Sequence, residues 1–416
     1  MTNFYRVGTA NQYDSTLRNL SSRQSTLVDL QEKLTSGKRV VRPSDDPVAA
    51  AQAERSLTRI GRIQTEQRAL EVQRNAVAQA ESTLGDAIGL VQEMRQLMVA
   101  AGNGSLKPED RTTYANQINS LREQLTEVAN RKDTNGIPLL GALGSALAPF
   151  LGPQSSSPSY AFAGQPGQAA SNGAALTSTL DGHSAFMFEP KRDGVYNAGV
   201  STIPTTRTLT TDAVRTTDLS QVTGDNYRID FTAVGPGATP GTSSATYTIT
   251  NTTTGATGTP VTVPDYPSDK PVSIAVAGVP GLAFSINGTP AVGDTVSLQP
   301  SDSLFGSIDA AVKGIGGAAN NNAATQAVGQ ALAAVDKGLE RLHNMRGYAG
   351  ELLNRADRIT GDQDNRAIQL EADRSRAEDL DMVQGISDFQ TAQVGYEAAL
   401  KSYAQVQKLS LFNFIG

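Results

Sequence analysis

At each end of this chain, apolar residues return at alternating intervals of four and three. Near the N-terminus Tyr13, Leu17, Leu20, Leu27 and Leu34 keep that spacing, with Gln24 and Gln31 in the two remaining places. Near the C-terminus Met382, Ile386, Phe389, Tyr396, Leu400 and Tyr403 keep it again, with Gln393 and Gln407 filling the gaps. This is the period of a coiled-coil seam, and it predicts long helices with a narrow apolar stripe. A narrow stripe constrains a chain strongly, because one isolated helix of this kind is marginal in water and needs a second surface. Gly385 and Gly395 lower the intrinsic helicity of the C-terminal segment further. The two seams are natural partners for each other in an intramolecular bundle, the simpler reading, or for copies of themselves. The Gln places could fix register, or lie at the edge of a drifting stripe.

Charge density divides the rest of the chain. Residues 141–320 hold 7 basic and 12 acidic side chains, whereas the remaining 236 residues hold 28 and 29. The ends are therefore densely and evenly charged, and the middle is poor in charge and rich in Gly, Thr, Ser and Pro. After the first seam, Ser36-Gly37-Lys38 reads as a helix C-terminus. Asp46 before Pro47 is a helix start, which makes Asp45-Asp46 a cap favoured by the helix dipole rather than a catalytic carboxylate pair. A second helix follows to about Ala101, broken by Gly102-Asn103-Gly104 and Pro108. A third carries Tyr114, Ile118, Leu121, Leu125 and Val128, and an Ala-rich helix spans about Ala323–Arg358.

The middle alternates as strands do, at Tyr227, Ile229, Phe231 and again at Leu282, Phe284, Ile286, with further short runs between Gly/Pro/Asn clusters. Asn287-Gly288 reads as a hairpin turn between Leu282–Ile286 and Thr295–Leu298. Residues 141–172 show no period and read as a long, flexible connection. The fold class expected is α+β: elongated, with N- and C-terminal helices packed in a coiled-coil-like bundle and a central β-rich outer domain. The expected segments are 1–45 and 375–416 for the axial-core helices, 46–140 and 311–374 for a helical bundle domain, and 141–310 for the β-rich domain.

Little here suggests chemistry. With no Cys, the chain has no disulfide, thiolate metal site or thiol nucleophile. His183 and His343 lie far apart in sequence, and no nucleophile, base and orienting group assemble. Gly235-Pro236-Gly237 lacks the Gly-Lys-Ser/Thr of a phosphate loop and reads as a turn. Glu378-Asp379-Leu380-Asp381 does not match a calcium loop and reads as a solvated helix face. A net charge of −6 offers no basic field for nucleic acid. No run of about 18 apolar residues suggests a membrane span, and the opening MTNFYRVGTANQYDSTL lacks the apolar stretch of a cleavable signal. The expectation is a non-enzyme with no cofactor, no metal, no nucleic acid and no membrane partner.

Leu34-Thr35-Ser36-Gly37-Lys38-Arg39 followed by Ser44-Asp45-Asp46-Pro47 resembles the N-terminal signature of bacterial flagellins and their relatives. Val41-Arg42-Pro43 before that Ser, and the close Tyr403-Ala404-Gln405-Val406-Gln407-Lys408-Leu409-Ser410-Leu411-Phe412, are similar to the flagellin-like hook-associated branch of that family. Asp181-Gly182 to Ala185-Phe186-Met187-Phe188 and Gly288-Thr289-Pro290-Ala291-Val292-Gly293-Asp294 add to the likeness. The stretch between Asn135-Gly136 and Tyr160-Ala161-Phe162 departs from it through an apolar, Gly/Pro-rich insertion. The resemblance implies a structural subunit of the bacterial flagellum joining hook to filament, exported without a cleaved signal and placed outside the cell. It implies as partners the chain itself, a hook-associated protein on the hook side, flagellin on the filament side and an export chaperone at the C-terminal helix. The residues expected at the assembly interface are Tyr13, Leu17, Leu20, Leu27, Leu34, Met382, Ile386, Phe389, Tyr396, Leu400 and Tyr403, with Leu411 and Phe412 in the tail. A filament flagellin, or a secreted coiled-coil adhesin with a ligand-binding β domain, are the alternatives.

Overall fold

The first helix, α1 (Thr9–Ser36), ends where Gly37 takes a φ of +71°, a left-handed turn that residues with a Cβ rarely adopt. The second, α2 (Pro47–Ala101), begins on Asp46, whose carboxylate accepts from the N–H groups of Val48 and Ala49 at 3.2 and 3.0 Å. Pro108 opens α3 (Pro108–Ala129), which gives up no hydrogen bond by lacking an N–H there. The computed structural model describes residues 9–155, 158–169, 176–202, 209–267 and 272–415, with the backbone alone at 9–12, 272 and 406–415. After α3 come β1 (Phe150–Leu151), β2 (Ala161–Phe162), α4 (Gly182–Phe186) and α5 (Pro190–Asp193). The β-rich segment holds β3 (Tyr196–Ser201), β4 (Thr210–Thr211), β5 (Arg215–Thr216), β6 (Tyr227–Pro236), β7 (Thr242–Asn251), β8 (Val261–Pro267), β9 (Val272–Ala275), β10 (Leu282–Ala283), β11 (Ser285–Gly288) and β12 (Thr295–Pro300). Three helices close the chain: α6 (Leu304–Gly316), α7 (Asn321–Glu378) and α8 (Met382–Ile415).

The chain forms two units, Met1–Arg68 with Ile359–Gly416, and Ala69–Arg358. In the second unit, α2 and α7 run antiparallel and are laced by Arg74–Asp357, Glu81–Arg346 and Arg95–Asp336 at 3.1, 2.7 and 2.7 Å. Val77, Leu84, Val91, Met94 and Met98 of α2, with Ile118 and Leu125 of α3 and Val335 and Leu342 of α7, are fully buried there. The β segment is antiparallel throughout its named pairs, with a five-stranded sheet in the order β3-β12-β6-β7-β8 and a smaller one in the order β4-β11-β9. Ile229, Phe231, Tyr247, Val296 and Leu298 of the larger sheet share one core with Ile274, Phe284 and Ile286. That shared core makes the α+β arrangement, with a sandwich-like β layer, the observed fold class.

Three expectations need correction. Asn287-Gly288 is not a hairpin turn: both residues lie inside β11, opposite Ser273 and Val272 of β9, while β12 pairs with β3 and β6. Gly288, the last residue of β11, takes a φ of +125°, which residues with a Cβ rarely adopt. The described part of 141–172 is packed rather than a free connection. Phe150 and Tyr160 are buried there, and Phe150, Phe186, Phe305 and Tyr160 form an aromatic cluster with centroids 5.2–5.6 Å apart. Aromatic packing and one side-chain amide hold the segment, since Asn130 pairs with both backbone groups of Phe150 at 2.9 and 3.0 Å. Finally, the acidic run 378–381 is not a helix face, because α7 ends at Glu378 and α8 begins at Met382.

Candidate assembly surface

The seam residues lie in the first unit, on α1 and α8. These helices run antiparallel: Tyr13 stands against Tyr403 with ring centroids 5.9 Å apart, and Leu34 approaches Gly385 at the other end. A Cβ on Gly385 would come within 2.8 Å of Leu380 Cδ2 and 3.3 Å of Leu34 Cδ2, and one on Gly395 within 3.0 Å of Arg23 Nη1. Gly385 is therefore tight first against Leu380, in the turn that leads into α8, and less so against Leu34 of α1, while the Arg23 side chain opposite Gly395 can move aside. The sequence shows the cost of Gly385 to helicity but not its contact with Leu380.

The structure brings the two seams together and leaves them incompletely covered. Leu20, Leu27, Leu34, Phe389, Tyr396 and Tyr403 are half-buried, whereas Tyr13, Leu17, Met382, Ile386 and Leu400 stay 41–47% exposed. Val28 at 55%, Val383 at 82% and Val394 at 67% add apolar surface that the seam pattern omitted. Leu411 and Phe412 belong to α8 by backbone, and their side chains fall outside the described residues. An apolar stripe on this scale, rimmed by charge, is what a helix shows when a further surface is to cover it.

A joint that the sequence reading missed anchors both helices. Residues 37–40 and 378–380 pair as a short antiparallel bridge, with Arg39 N–H donating to the Glu378 carbonyl at 2.7 Å and Leu380 N–H to that of Gly37 at 2.9 Å. The Arg39 guanidinium donates to the Ala377 carbonyl at 2.7 Å, capping the C-terminal end of α7, and Lys38 pairs with Glu378 at 3.3 Å. Val40, Ala49, Ala53 and Ala377 form a small core beneath it. Across the turn, the backbone N–H groups of Arg42 and Val41 hold the Asp45 carboxyl below the usual carboxylate range, and the N–H of Ala49, with Arg39, does the same for Asp46. Asp381 accepts from Val383 and Gln384 N–H at 3.0 and 3.2 Å and so caps α8. The opposed charges of Lys38 and Glu378 were the available clue.

Among the described residues no group of three His, Cys, Asp or Glu side chains could hold a metal ion, and no helix is long and apolar enough to cross a membrane. What the site offers is apolar helix surface at fixed register, which is suited to packing against other helices.

Residues 7–143 of this chain match the family described as the bacterial flagellin N-terminal helical region. More narrowly, it is 33% identical over 147 residues to flagellar hook-associated protein 3 of Salmonella typhimurium, and 32% identical over 149 residues to the same protein of Escherichia coli. Each match takes in 35% of this chain and 46% of the relative, so the chain spans about half the length of the curated relatives it matches. Its fold is that of the flagellar junction protein FlgL from Legionella pneumophila, with a TM-score of 0.59 at 23% identity over 79% of this chain and 100% of that one.

Proposed function

We propose that this protein is a structural subunit of the bacterial flagellum, placed where hook meets filament. The observation that carries the reading is the antiparallel α1–α8 pair with its seam half covered, in a chain similar to hook-associated protein 3 and folded like a junction protein. In this reading the outward side of that pair packs against neighbouring subunits through Tyr13, Leu17, Leu20, Leu27, Leu34, Met382, Ile386, Phe389, Tyr396, Leu400 and Tyr403, with Leu411 and Phe412 continuing the stripe. Burial of such side chains contributes about 1.5–3 kcal/mol each when complete, so the stripe supplies the driving force that the free chain leaves unused.

The chain then works without a catalytic step, by filling space between unlike neighbours: a hook-associated protein on one side, flagellin on the other and further copies of itself around the axis. Export takes it outside the cell without a cleaved signal, with a chaperone covering the α8 stripe beforehand. The 141–310 segment is the part free to face outward. The similarity to hook-associated proteins favours this reading over a bulk filament subunit or an adhesin.

Immunogold labelling of whole flagella tests the placement. Gold confined to a short zone between hook and filament is the expected result. Labelling along the filament would make the chain a flagellin, and labelling of the cell surface alone would favour an adhesin.

A further inference from the structure

Three Asn-Gly steps lie among the described residues: Asn103-Gly104, Asn135-Gly136 and Asn287-Gly288. A fourth, Asn172-Gly173, lies outside them. Such a step can close on itself, because the glycine N–H has no neighbouring side chain to keep it from the asparagine amide carbon. Whether it does so in a folded chain depends on what holds each atom.

At Asn103 the side-chain oxygen is engaged and the glycine N–H is not. Its side-chain oxygen accepts from both the N–H and the hydroxyl of Ser105, at 3.1 and 2.9 Å, so two donors point at the oxygen on which negative charge would develop. The Gly104 N–H has no acceptor among the described residues, and the turn is exposed. At Asn135 the arrangement is reversed. Its amide nitrogen donates to Asp133 Oδ2 at 3.4 Å, and the Gly136 N–H is engaged with the Asp133 carbonyl at 3.0 Å. Asn287 is held extended in β11, between β9 and β4.

We propose that Asn103 is a self-modifying site that deamidates in the folded protein through an imide with Gly104, assisted by Ser105. The Gly104 nitrogen bonds to the Asn103 amide carbon and loses its proton. The bond from that carbon to the side-chain nitrogen breaks, and ammonia leaves with the proton. Water then opens the imide at either carbonyl, giving aspartate or isoaspartate, with no oxidant or reductant involved. The product places a carboxylate just past the C-terminal end of α2, the unfavourable end of the helix dipole for an anion. The isoaspartate form also lengthens the backbone by one carbon immediately before Gly104. The Gly104 carbonyl accepts from the Asn321 amide, and Asn321 in turn accepts from the buried Arg111 guanidinium. Modification thus loosens the tie between the α2–α3 turn and the start of α7.

Peptide mass spectrometry of the full chain, aged in mildly alkaline buffer with and without denaturant, tests the site. In the folded chain Asn103 should convert about tenfold faster than Asn135 and Asn287, a fraction of what paired oxyanion donors achieve in a closed site. In denaturant the three should converge. Ser105→Ala should slow Asn103 alone. Gly104→Ala should suppress it with an unchanged circular dichroism spectrum, since a Cβ there meets nothing within 4 Å. Equal rates at Asn103 and Asn135 in the folded chain would overturn the proposal. So would an unchanged Asn103 rate in Ser105→Ala, or a preference for Asn103 that survives denaturant.

Discussion

Buried Arg122 shows how one polar residue organises its surroundings. Its guanidinium donates to the Tyr160 hydroxyl at 2.7 Å and lies 3.1 Å from Asp309, while Tyr160 donates to Asp309 at 3.2 Å. Burial, together with the Asp309 charge, pushes the Tyr160 hydroxyl up from 10.0 to about 12, with Arg122 opposing; burial pushes Tyr196 up to about 12 as well. Both are acids held neutral by the fold, so the native state binds more protons than the unfolded state between those values. Their contribution is complete below about pH 10 and is lost as pH rises through about 12. Thermal melts of the full chain should show Tm falling over that window, and Tyr160→Phe should flatten the fall. At the same scale, Gly385→Val should disturb the start of α8, because its Cβ would press hardest on Leu380 in the turn before it and less on Leu34 of α1. Hydrogen exchange should then quicken in α8 around Phe389 while the β segment keeps its protection. None of this was legible in the sequence. Arg122, Tyr160 and Asp309 are scattered along the chain, and a glycine in a helix advertises its cost before its purpose.

Helix ends are the elements most legible in the sequence. The Ser36-Gly37 stop, the Asp46-Pro47 start and the break at Gly102–Pro108 fell where the helices do end and begin, since each rests on local backbone chemistry. Short strands were harder. The Asn-Gly pair at 287–288 carries a strong turn signal, yet long-range pairing of β11 with β9 and β4 overrides it. The insertion after α3 has no period because its order comes from scattered aromatics and from Asn130, which bonds Phe150 as a neighbouring strand would. Gln326 and Gln330 act alike, tying α7 to the Ala198 carbonyl of β3 at 3.1 and 2.8 Å. Asn130→Ala should leave both Phe150 backbone groups unpaired and cost about 1–3 kcal/mol in urea unfolding of the full chain. Asn130→Asp keeps the acceptor but loses the donor, and should recover only part of that.

For the molecule as a whole, both seams were visible as a 4,3 spacing, and their antiparallel pairing was one of two arrangements that spacing permits. Sequence could not tell how much of each stripe the pair itself would cover; Tyr13, Leu17, Ile386 and Leu400 answer that by remaining exposed. The lean aromatic content, 5% of residues, is divided among the Phe150–Phe305 cluster, the β core and the narrow stripes at the ends, where Tyr13 faces Tyr403. Leu27→Asp should therefore spare the fold of the 69–358 unit, read by circular dichroism, and yet prevent incorporation. The most direct test of the account is electron microscopy of flagella from a strain lacking this protein. Hooks bare of filament, with flagellin shed into the medium and filaments restored by the wild-type chain but not by Leu27→Asp, are the predicted result. Full-length filaments attached to hooks in the deletion strain would contradict it.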